Sequence, residues 1–216
     1  MILIPIKDFF ETKTRIKSAI PARFSSLIDN LVEVTFFQTI DIIRSTSYLF
    51  GVISPSISIL NQSKELGAIF TYCDLGIDLN LALTEAIQEI AREQQILILM
   101  PDLPYISQEF LQQLVNETVN NDVLIVPSIS SDENSGTAAL YLKKPDLLSF
   151  QYGKYSSKRF QSEANSKNLK CHVINFDPFA RDLDTINDVE YLKQHLMLVF
   201  EPNRFRKILE QIEVMK

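Results

Sequence analysis

The sequence has few of the residues that build disulfides or soft-metal sites. Its two cysteines, Cys73 and Cys171, form no Cys-x-x-Cys pair, which argues against a disulfide framework and a cysteine zinc site and fits a reducing compartment. The two histidines, His172 and His195, match no metal-ligand spacing. We therefore expect ordinary surface or core histidines at both positions.

Excess basic charge and long apolar runs are also missing. The net charge is -6 at pH 7, which argues against a general nucleic-acid-binding protein. No stretch approaches the ~20 apolar residues that a membrane-spanning helix needs. Pro5, Lys7 and Asp8 interrupt the amino-terminal apolar run, so it does not resemble a signal peptide. These absences predict a cytoplasmic protein that binds neither nucleic acid nor membrane.

Glycine-rich phosphate-binding motifs are absent too. The five glycines form neither the G-x-G-x-x-G pattern nor a Walker motif, so the sequence supports neither dinucleotide-binding nor P-loop chemistry. A small anionic substrate is not excluded, because local cations can outweigh the net charge.

Short apolar runs alternate with amphipathic segments through most of the chain. Runs such as ILIPI (2–6) and ILILM (96–100) predict buried strands. Helical spacing of apolar residues predicts helices over 22–44, 79–94 and 187–199. This alternation predicts an α/β sandwich with a largely parallel sheet, as one domain over 1–216. Its 201–216 segment is a helical extension that either packs on the core or serves a dimer.

Three acidic residues could carry chemistry. Asp102 follows the buried strand ILILM and stands between two prolines. It either caps its own turn or binds a hard cation such as Mg²⁺. Asp182 and Asp184 are two residues apart, so in an extended chain they point the same way, about 6.5 Å apart. Combined with Asp102, they form a candidate metal cluster.

Cations follow the first predicted strand. Lys7, Lys13, Arg15 and Lys17 lie in a segment that we expect to be an exposed basic loop. Ser54 closes the second strand at the same edge of the sheet. Ligands of such sheets bind beyond the carboxyl ends of the strands, so these residues are placed to meet a triphosphate.

Several short motifs occur in the order typical of one family. They are IPIK followed by KTRI, VISPS, DLGIDLNLAL, MPDLP, SGTAAL, YGKYS and DLDTINDV. Together they resemble the 2-phospho-L-lactate guanylyltransferases of coenzyme F-420 biosynthesis, whose close relatives act on phosphoenolpyruvate. The resemblance covers about residues 2 to 192. It implies a three-layer α/β/α sandwich of the nucleotidyltransferase type, which is Rossmann-like and has a mostly parallel mixed sheet.

The resemblance also implies a role for each matching residue. It implies transfer of GMP from GTP to 2-phospho-L-lactate, giving lactyl-2-diphospho-5'-guanosine and pyrophosphate, with Mg²⁺ or alternatively Mn²⁺ as the metal. The implied metal ligands are Asp102, Asp182 and Asp184. The implied ligands of the phosphorylated acid are Thr137, Gly153 and Ser156. The implied nucleotide-binding residues are Lys7, Lys13, Arg15, Ser54 and Asn80, and the catalytic ones are Lys13, Arg15 and Asp102.

The sequence departs from the family pattern at positions that bear on specificity. Asp78 replaces the usual Gly, Ala138 the usual Asn, and Phe160 the His of many members. Base choice and acid choice therefore stay open, with phosphoenolpyruvate or 3-phosphoglycerate as alternative acceptors. A sugar-1-phosphate nucleotidyltransferase and a non-catalytic nucleotide-binding protein are further alternatives on the same fold. The sequence also leaves open whether the protein is a homodimer.

Overall fold

The structure is a computed structural model that describes residues 1–76, 78–129 and 136–213. The strands are β1 (Ile2–Pro5), β2 (Phe50–Ser54), β3 (Phe70–Cys73), β4 (Ile96–Leu99), β5 (Val123–Pro127), β6 (Thr137–Leu142) and β7 (Cys171–Val173). The α-helices are α1 (Thr14–Ser18), α2 (Ser25–Arg44), α3 (Ile57–Glu65), α4 (Leu79–Ala86), α5 (Gln108–Thr118), α6 (Ser156–Ser166), α7 (Ile186–Gln194) and α8 (Pro202–Glu213). Across the described ranges, no helix is both long and apolar enough to cross a bilayer.

One mixed sheet carries the architecture. Its seven strands lie in the order β3-β2-β1-β4-β6-β5-β7. Of these, β6 alone runs antiparallel to its neighbours, so the predicted mostly parallel sheet is confirmed. Because β6 is reversed, its first residue, Thr137, lies near the carboxyl end of β4, where Leu99 pairs with Ala139.

Helices cover both faces of the sheet, because its strands are apolar on both sides. Ile2 and Ile4 of β1 belong to the cluster beneath α2, α3 and α5. Leu3, between them, points to the opposite cluster, beneath α4 and α6. The alternation along a strand thus produces two apolar layers, and the predicted three-layer sandwich is confirmed.

Local signals set several helix ends. The Ser107 hydroxyl accepts from the backbone N–H of Phe110 at 3.1 Å and caps α5, as the sequence predicts. Thr185 caps α7 in a capping box with Asp188.

Two predicted helices are longer than the observed ones. The prediction of a helix over 79–94 is wrong in its second half, because α4 ends at Ala86. A 3₁₀ turn (Ile87–Glu89) and extended backbone at Ile90 then lead into β4. Likewise α7 ends at Gln194, before the 3₁₀ turn Leu196–Leu198. Beyond the end of α4 the apolar spacing continues to Ile90, which is buried although its backbone is extended.

The carboxyl-terminal helix α8 packs on its own chain. Phe205 and Leu209 are buried in a cluster with Leu31 of α2 and Leu192 of α7. The apolar face of α8 is thus covered within one chain. This arrangement is the one in which the extension packs on the core. Residues 214–216 of the predicted extension lie outside the described residues.

This packing predicts a large effect of Phe205 on stability. Phe205→Ala should lower the free energy of unfolding by about 3–5 kcal/mol, the usual cost of removing a buried ring. Met197→Ala is the matched control, because Met197 is 86% exposed and its loss should cost less than ~0.5 kcal/mol. Urea unfolding measures both. An equally small loss in Phe205→Ala would show that α8 is not part of the folded core.

Candidate active site

Two cavities open side by side at the carboxyl edge of the sheet. The first has a volume of about 360 Å³ and lies between the segment after β1 and the start of α4. The second has a volume of about 240 Å³ and lies between β6 and the start of α6. They share the wall residues Arg15, Leu79, Met100, Asp102 and Asp184. The cavities therefore meet at two of the predicted metal ligands.

Lys13 lies at this junction, between two acids. Its Nζ donates to Oδ1 of Asp184 at 2.8 Å and also to Oδ2 of Asp102. Burial alone would lower the pKa of Lys13, but the two carboxylates outweigh burial and raise it. Lys13 is therefore a fixed positive charge that neutralises this part of the site.

The expectation of an exposed basic loop is wrong for part of the segment. The Lys13 side chain is only 10% exposed, because it turns inward to Asp102 and Asp184. Arg15 and Lys17 lie on helix α1, not in a loop. Lys7 and Arg15 remain exposed and line the first cavity.

Backbone contacts bring the three acids together. Ile129, just beyond β5, forms a parallel bridge with Arg181. The N–H of Leu183 donates to the carbonyl oxygen of Asp102 at 3.2 Å. Asp182 and Asp184, on either side of Leu183, are thereby held beside Asp102, and all three line the second cavity.

The acids differ in their electrostatic state. Burial, followed by repulsion from Asp102 and Asp184, raises the pKa of Asp182 to about 8. Burial also acts to raise the pKa of Asp184, but the neighbouring Lys13 outweighs it and lowers that pKa, with help from Arg15. Lys13 thus neutralises the charge of Asp184, whereas ionisation of Asp182 is unfavourable without a bound cation.

The donor set fits a divalent cation that is also held by a substrate. Across the described ranges, no three acidic, histidine or cysteine side chains already enclose a metal position. However, Oδ1 of Asp102 and Oδ1 of Asp182 are buried and have no hydrogen-bond partner, which is costly for a carboxylate. Mg²⁺ commonly takes one or two carboxylates and fills its other positions with water and substrate phosphates. Since one oxygen of Asp102 contacts Lys13 and the other is unpartnered, the turn-cap alternative for Asp102 is not observed.

Hydroxyls and a helix start form the far wall of the second cavity. The hydroxyl oxygens of Thr137 and Ser156 lie 2.7 Å apart, and both side chains are buried. Ser156 begins α6, whose first backbone N–H groups favour an anion. Gly153, with φ of +124°, makes the turn that precedes the helix. The three residues predicted to hold the phosphorylated acid therefore lie together.

Two of the predicted nucleotide-binding residues have other contacts. Ser54 is fully buried, and its hydroxyl accepts from the N–H of Ser56 at 3.1 Å. The Asn80 side chain pairs with the backbone of Tyr152. Neither residue is among those that line the two cavities, so this geometry does not support their predicted contact with the nucleotide.

The departures from the family pattern have definite positions. Asp78 caps α4 by accepting from the N–H of Asn80 and lies in the wall of the first cavity. Ala138 lies in the wall of the second cavity and offers no amide there. Phe160 is fully buried, and its ring packs edge-on against Tyr152, with 5.3 Å between centroids. Phe160 therefore has a packing role.

Sequence reasoning missed several wall residues. Lys154, next to Gly153, lines the second cavity and supplies a positive charge on the side of α6. A lysine within the YGKYS motif, which was expected to bind an anion, was the available signal. Glu11 and Asp74 line the first cavity. Asp74 begins the DLGIDLNLAL motif, which was the available signal, whereas Glu11 stands in none of the quoted motifs.

The mixed sheet, with carboxylates and cations gathered at its carboxyl edge, has the α/β fold of nucleotidyltransferases. A protein from Desulfovibrio desulfuricans G20, assigned as a nucleotide-diphospho-sugar transferase, superposes with a TM-score of 0.73 over 97% of this chain and 96% of its own, at 16% identity. The 4-diphosphocytidyl-2C-methyl-D-erythritol synthase of Anaerococcus prevotii gives a TM-score of 0.57 over 91% and 98%, at 12% identity. At these identities the likeness shows the fold alone.

The sequence model described as guanylyl transferase CofC like matches residues 1–215, and the chain belongs to that family. The 2-phospho-L-lactate guanylyltransferase of Methanobrevibacter smithii is 26% identical over 213 residues, 98% of this chain and 90% of its own. The phosphoenolpyruvate guanylyltransferase of Chloroflexus aggregans is 28% identical, over 90% and 95%. The family resemblance is confirmed, and the chain is a nucleotidyltransferase enzyme.

Proposed function

We propose that the protein transfers GMP from GTP to 2-phospho-L-lactate, releasing pyrophosphate. The observation that carries this proposal is the meeting of two cavities at Asp102 and Asp184, with Lys13 bonded to both. Direct transfer between two bound anionic substrates requires neighbouring sites that hold the reacting groups in the right geometry, with positive charge where the sites meet. Phosphoenolpyruvate is the second candidate acceptor, because relatives of similar identity carry either name.

The first cavity is the proposed nucleotide site. It is the larger of the two, and its wall includes Lys7 and Arg15, which suit a triphosphate. Apolar wall residues such as Leu79 and Ala82 offer a surface for a base. The second cavity is the proposed acceptor site, because hydroxyls, a helix start and Lys154 can bind a small acid that carries a phosphate.

The proposed reaction needs positioning and charge stabilisation more than proton transfer. A phosphate oxygen of the acceptor attacks the α-phosphorus of GTP, the bond to the β-phosphate oxygen breaks, and pyrophosphate leaves. The second pKa of a phosphate ester is about 6, so the attacking group is ionised near pH 7 and needs no general base. Arg15 and Lys13 would stabilise the charge that grows on pyrophosphate. Asp102 and Asp182 would hold Mg²⁺, which when bound neutralises phosphate charge.

A matrix of substrates tests this proposal. GTP and ATP should be offered in turn with 2-phospho-L-lactate, phosphoenolpyruvate, 3-phosphoglycerate and a sugar-1-phosphate, with pyrophosphate release and product mass as readouts. The proposal expects the fastest turnover with GTP and 2-phospho-L-lactate. Turnover of a sugar-1-phosphate alone would overturn it, and faster turnover of phosphoenolpyruvate would favour the second candidate.

Removing one hydroxyl from the proposed acceptor site should weaken acceptor use. Thr137→Val and Ser156→Ala each remove a hydroxyl that lines the proposed acceptor site. Oxygens of the bound acid would then lack a hydrogen-bond partner, at about 1–3 kcal/mol. The acceptor kcat/KM should therefore fall roughly 5- to 150-fold, while the KM for GTP stays near its wild-type value. Ser162→Ala is the control, because Ser162 is exposed on the same helix, α6. An equal loss of GTP affinity in the two variants would count against the assignment of the cavities.

A further inference from the structure

The side chain of Asn80 binds a distant backbone segment in both directions. Its Oδ1 accepts from the N–H of Tyr152 at 2.6 Å, and its Nδ2 donates to the carbonyl oxygen of Tyr152 at 3.4 Å. The two residues are 72 positions apart in the sequence. The Asn80 amide thus pairs with both the N–H and the carbonyl oxygen of Tyr152, as the backbone of a neighbouring strand would.

The segment around Tyr152 needs such a partner. This segment lies outside the strands, so no neighbouring strand holds its backbone. Tyr152 and the following Gly153 both line the proposed acceptor cavity. On the α6 side, Arg159 donates to the carbonyl oxygen of Gln151 at 2.7 Å. On the other side Asn80 holds the main chain of Tyr152. The segment is therefore fixed between α4 and α6.

Helix α4 also forms part of the other cavity. Asp78, which caps it, and Leu79 and Ala82, within it, line the proposed nucleotide site. Asn80 follows directly after Leu79 but uses its amide on Tyr152. The first turn of α4 therefore borders the nucleotide cavity through its neighbours and holds the acceptor cavity through Asn80.

We infer that Asn80 is a positioning residue that fixes the acceptor-side wall from the helix bordering the nucleotide site. The inference rests on the proposed function for the identity of the two cavities, but the contact itself does not. It gives Asn80 a different task from the nucleotide contact predicted by the sequence. Loss of the amide should displace the segment that carries Gly153 and Lys154, and with it the start of α6.

Kinetics of two variants test this role. Asn80→Ala removes both hydrogen bonds, and Asn80→Asp keeps the acceptor for the Tyr152 N–H while losing the donor. We expect the acceptor KM to rise roughly tenfold or more in Asn80→Ala and less in Asn80→Asp, with the GTP KM within about twofold of wild type. Thr84→Ala is the matched control, because the exposed Thr84 bonds the Asn80 carbonyl on the same helix without reaching Tyr152.

Hydrogen exchange tests the same role without any turnover. In Asn80→Ala, amides of residues 151–156 should exchange at least about tenfold faster than in wild type, while amides of α4 keep their rates. Unchanged exchange over 151–156, or a rise in the GTP KM without a rise in the acceptor KM, would overturn the inference. If the wild type turned over no phosphorylated acid, the proposed function would fail, and the exchange experiment would still decide the role of Asn80.

Discussion

Asp102→Asn should lower the rate of pyrophosphate release roughly 10²- to 10³-fold, the usual effect of losing one preorganised charged group in an active site. Asp102 lines both cavities, bonds Lys13 through one oxygen and leaves the other unpartnered. Asparagine has nearly the same shape but offers one oxygen and no charge. The variant should therefore fold and bind GTP, yet fail to hold the metal.

The same measurement should include Asp184→Asn, with Asp146→Asn as the matched control. Asp146 is exposed and lies in neither cavity, so its variant should keep wild-type turnover. Titration with Mn²⁺ in the presence of GTP gives a readout separate from activity. Near-normal turnover of Asp102→Asn, or of the wild type in excess chelator, would contradict the assignment of the metal site.

Lys13→Met should damage both catalysis and stability. Methionine fills a similar volume but leaves Asp102 and Asp184 facing each other without the ammonium that now joins them. The kcat/KM for GTP should fall roughly 10²- to 10³-fold. Metal-free protein should lose about 1–3 kcal/mol of its free energy of unfolding, less than for a fully buried pair, because the Asp184 side chain is 39% exposed.

Lys17→Met separates the two effects of the lysine substitution. Lys17 is on α1 and pairs with Asp29, but it lines neither cavity. Its loss should lower stability without a specific change in GTP kinetics. Urea unfolding in chelator, repeated with Mg²⁺, measures the stability of both variants. Wild-type GTP kinetics in Lys13→Met would show that Lys13 serves only the fold.

Local sequence patterns predicted the features that local forces decide. Uninterrupted apolar runs indicated strands buried on both faces, and Ser107 indicated a helix start, because capping depends on residues only a few positions away. The edge rule for parallel sheets placed Asp102 and Lys7 at the carboxyl edge. Asp184 was grouped with Asp102 through its spacing from Asp182 and through the family resemblance. The position of Thr137 followed from the family resemblance, since neither capping nor apolar spacing reveals which strand is reversed.

The missed features depend on long-range partners. The Lys13 side chain turns inward because acids 89 and 171 positions away attract it, and no short window contains them. The Asn80 side chain pairs with the backbone 72 residues further on, a contact that its own motif could not indicate. The end of α4 at Ala86 was missed because Ile90 continues the apolar spacing after the chain has become extended.

The reversed strand β6 has a consequence for how specificity can change. On one side of it, β1 to β4 run parallel and their following segments build most of the first cavity. The start of β6 itself and the start of α6 build most of the second cavity. Substitutions at positions such as Ala138 can therefore alter the second cavity while leaving the first half of the sheet intact. With the cavities assigned as proposed above, this division is one physical route by which the acceptor preference can change while the nucleotide site stays the same.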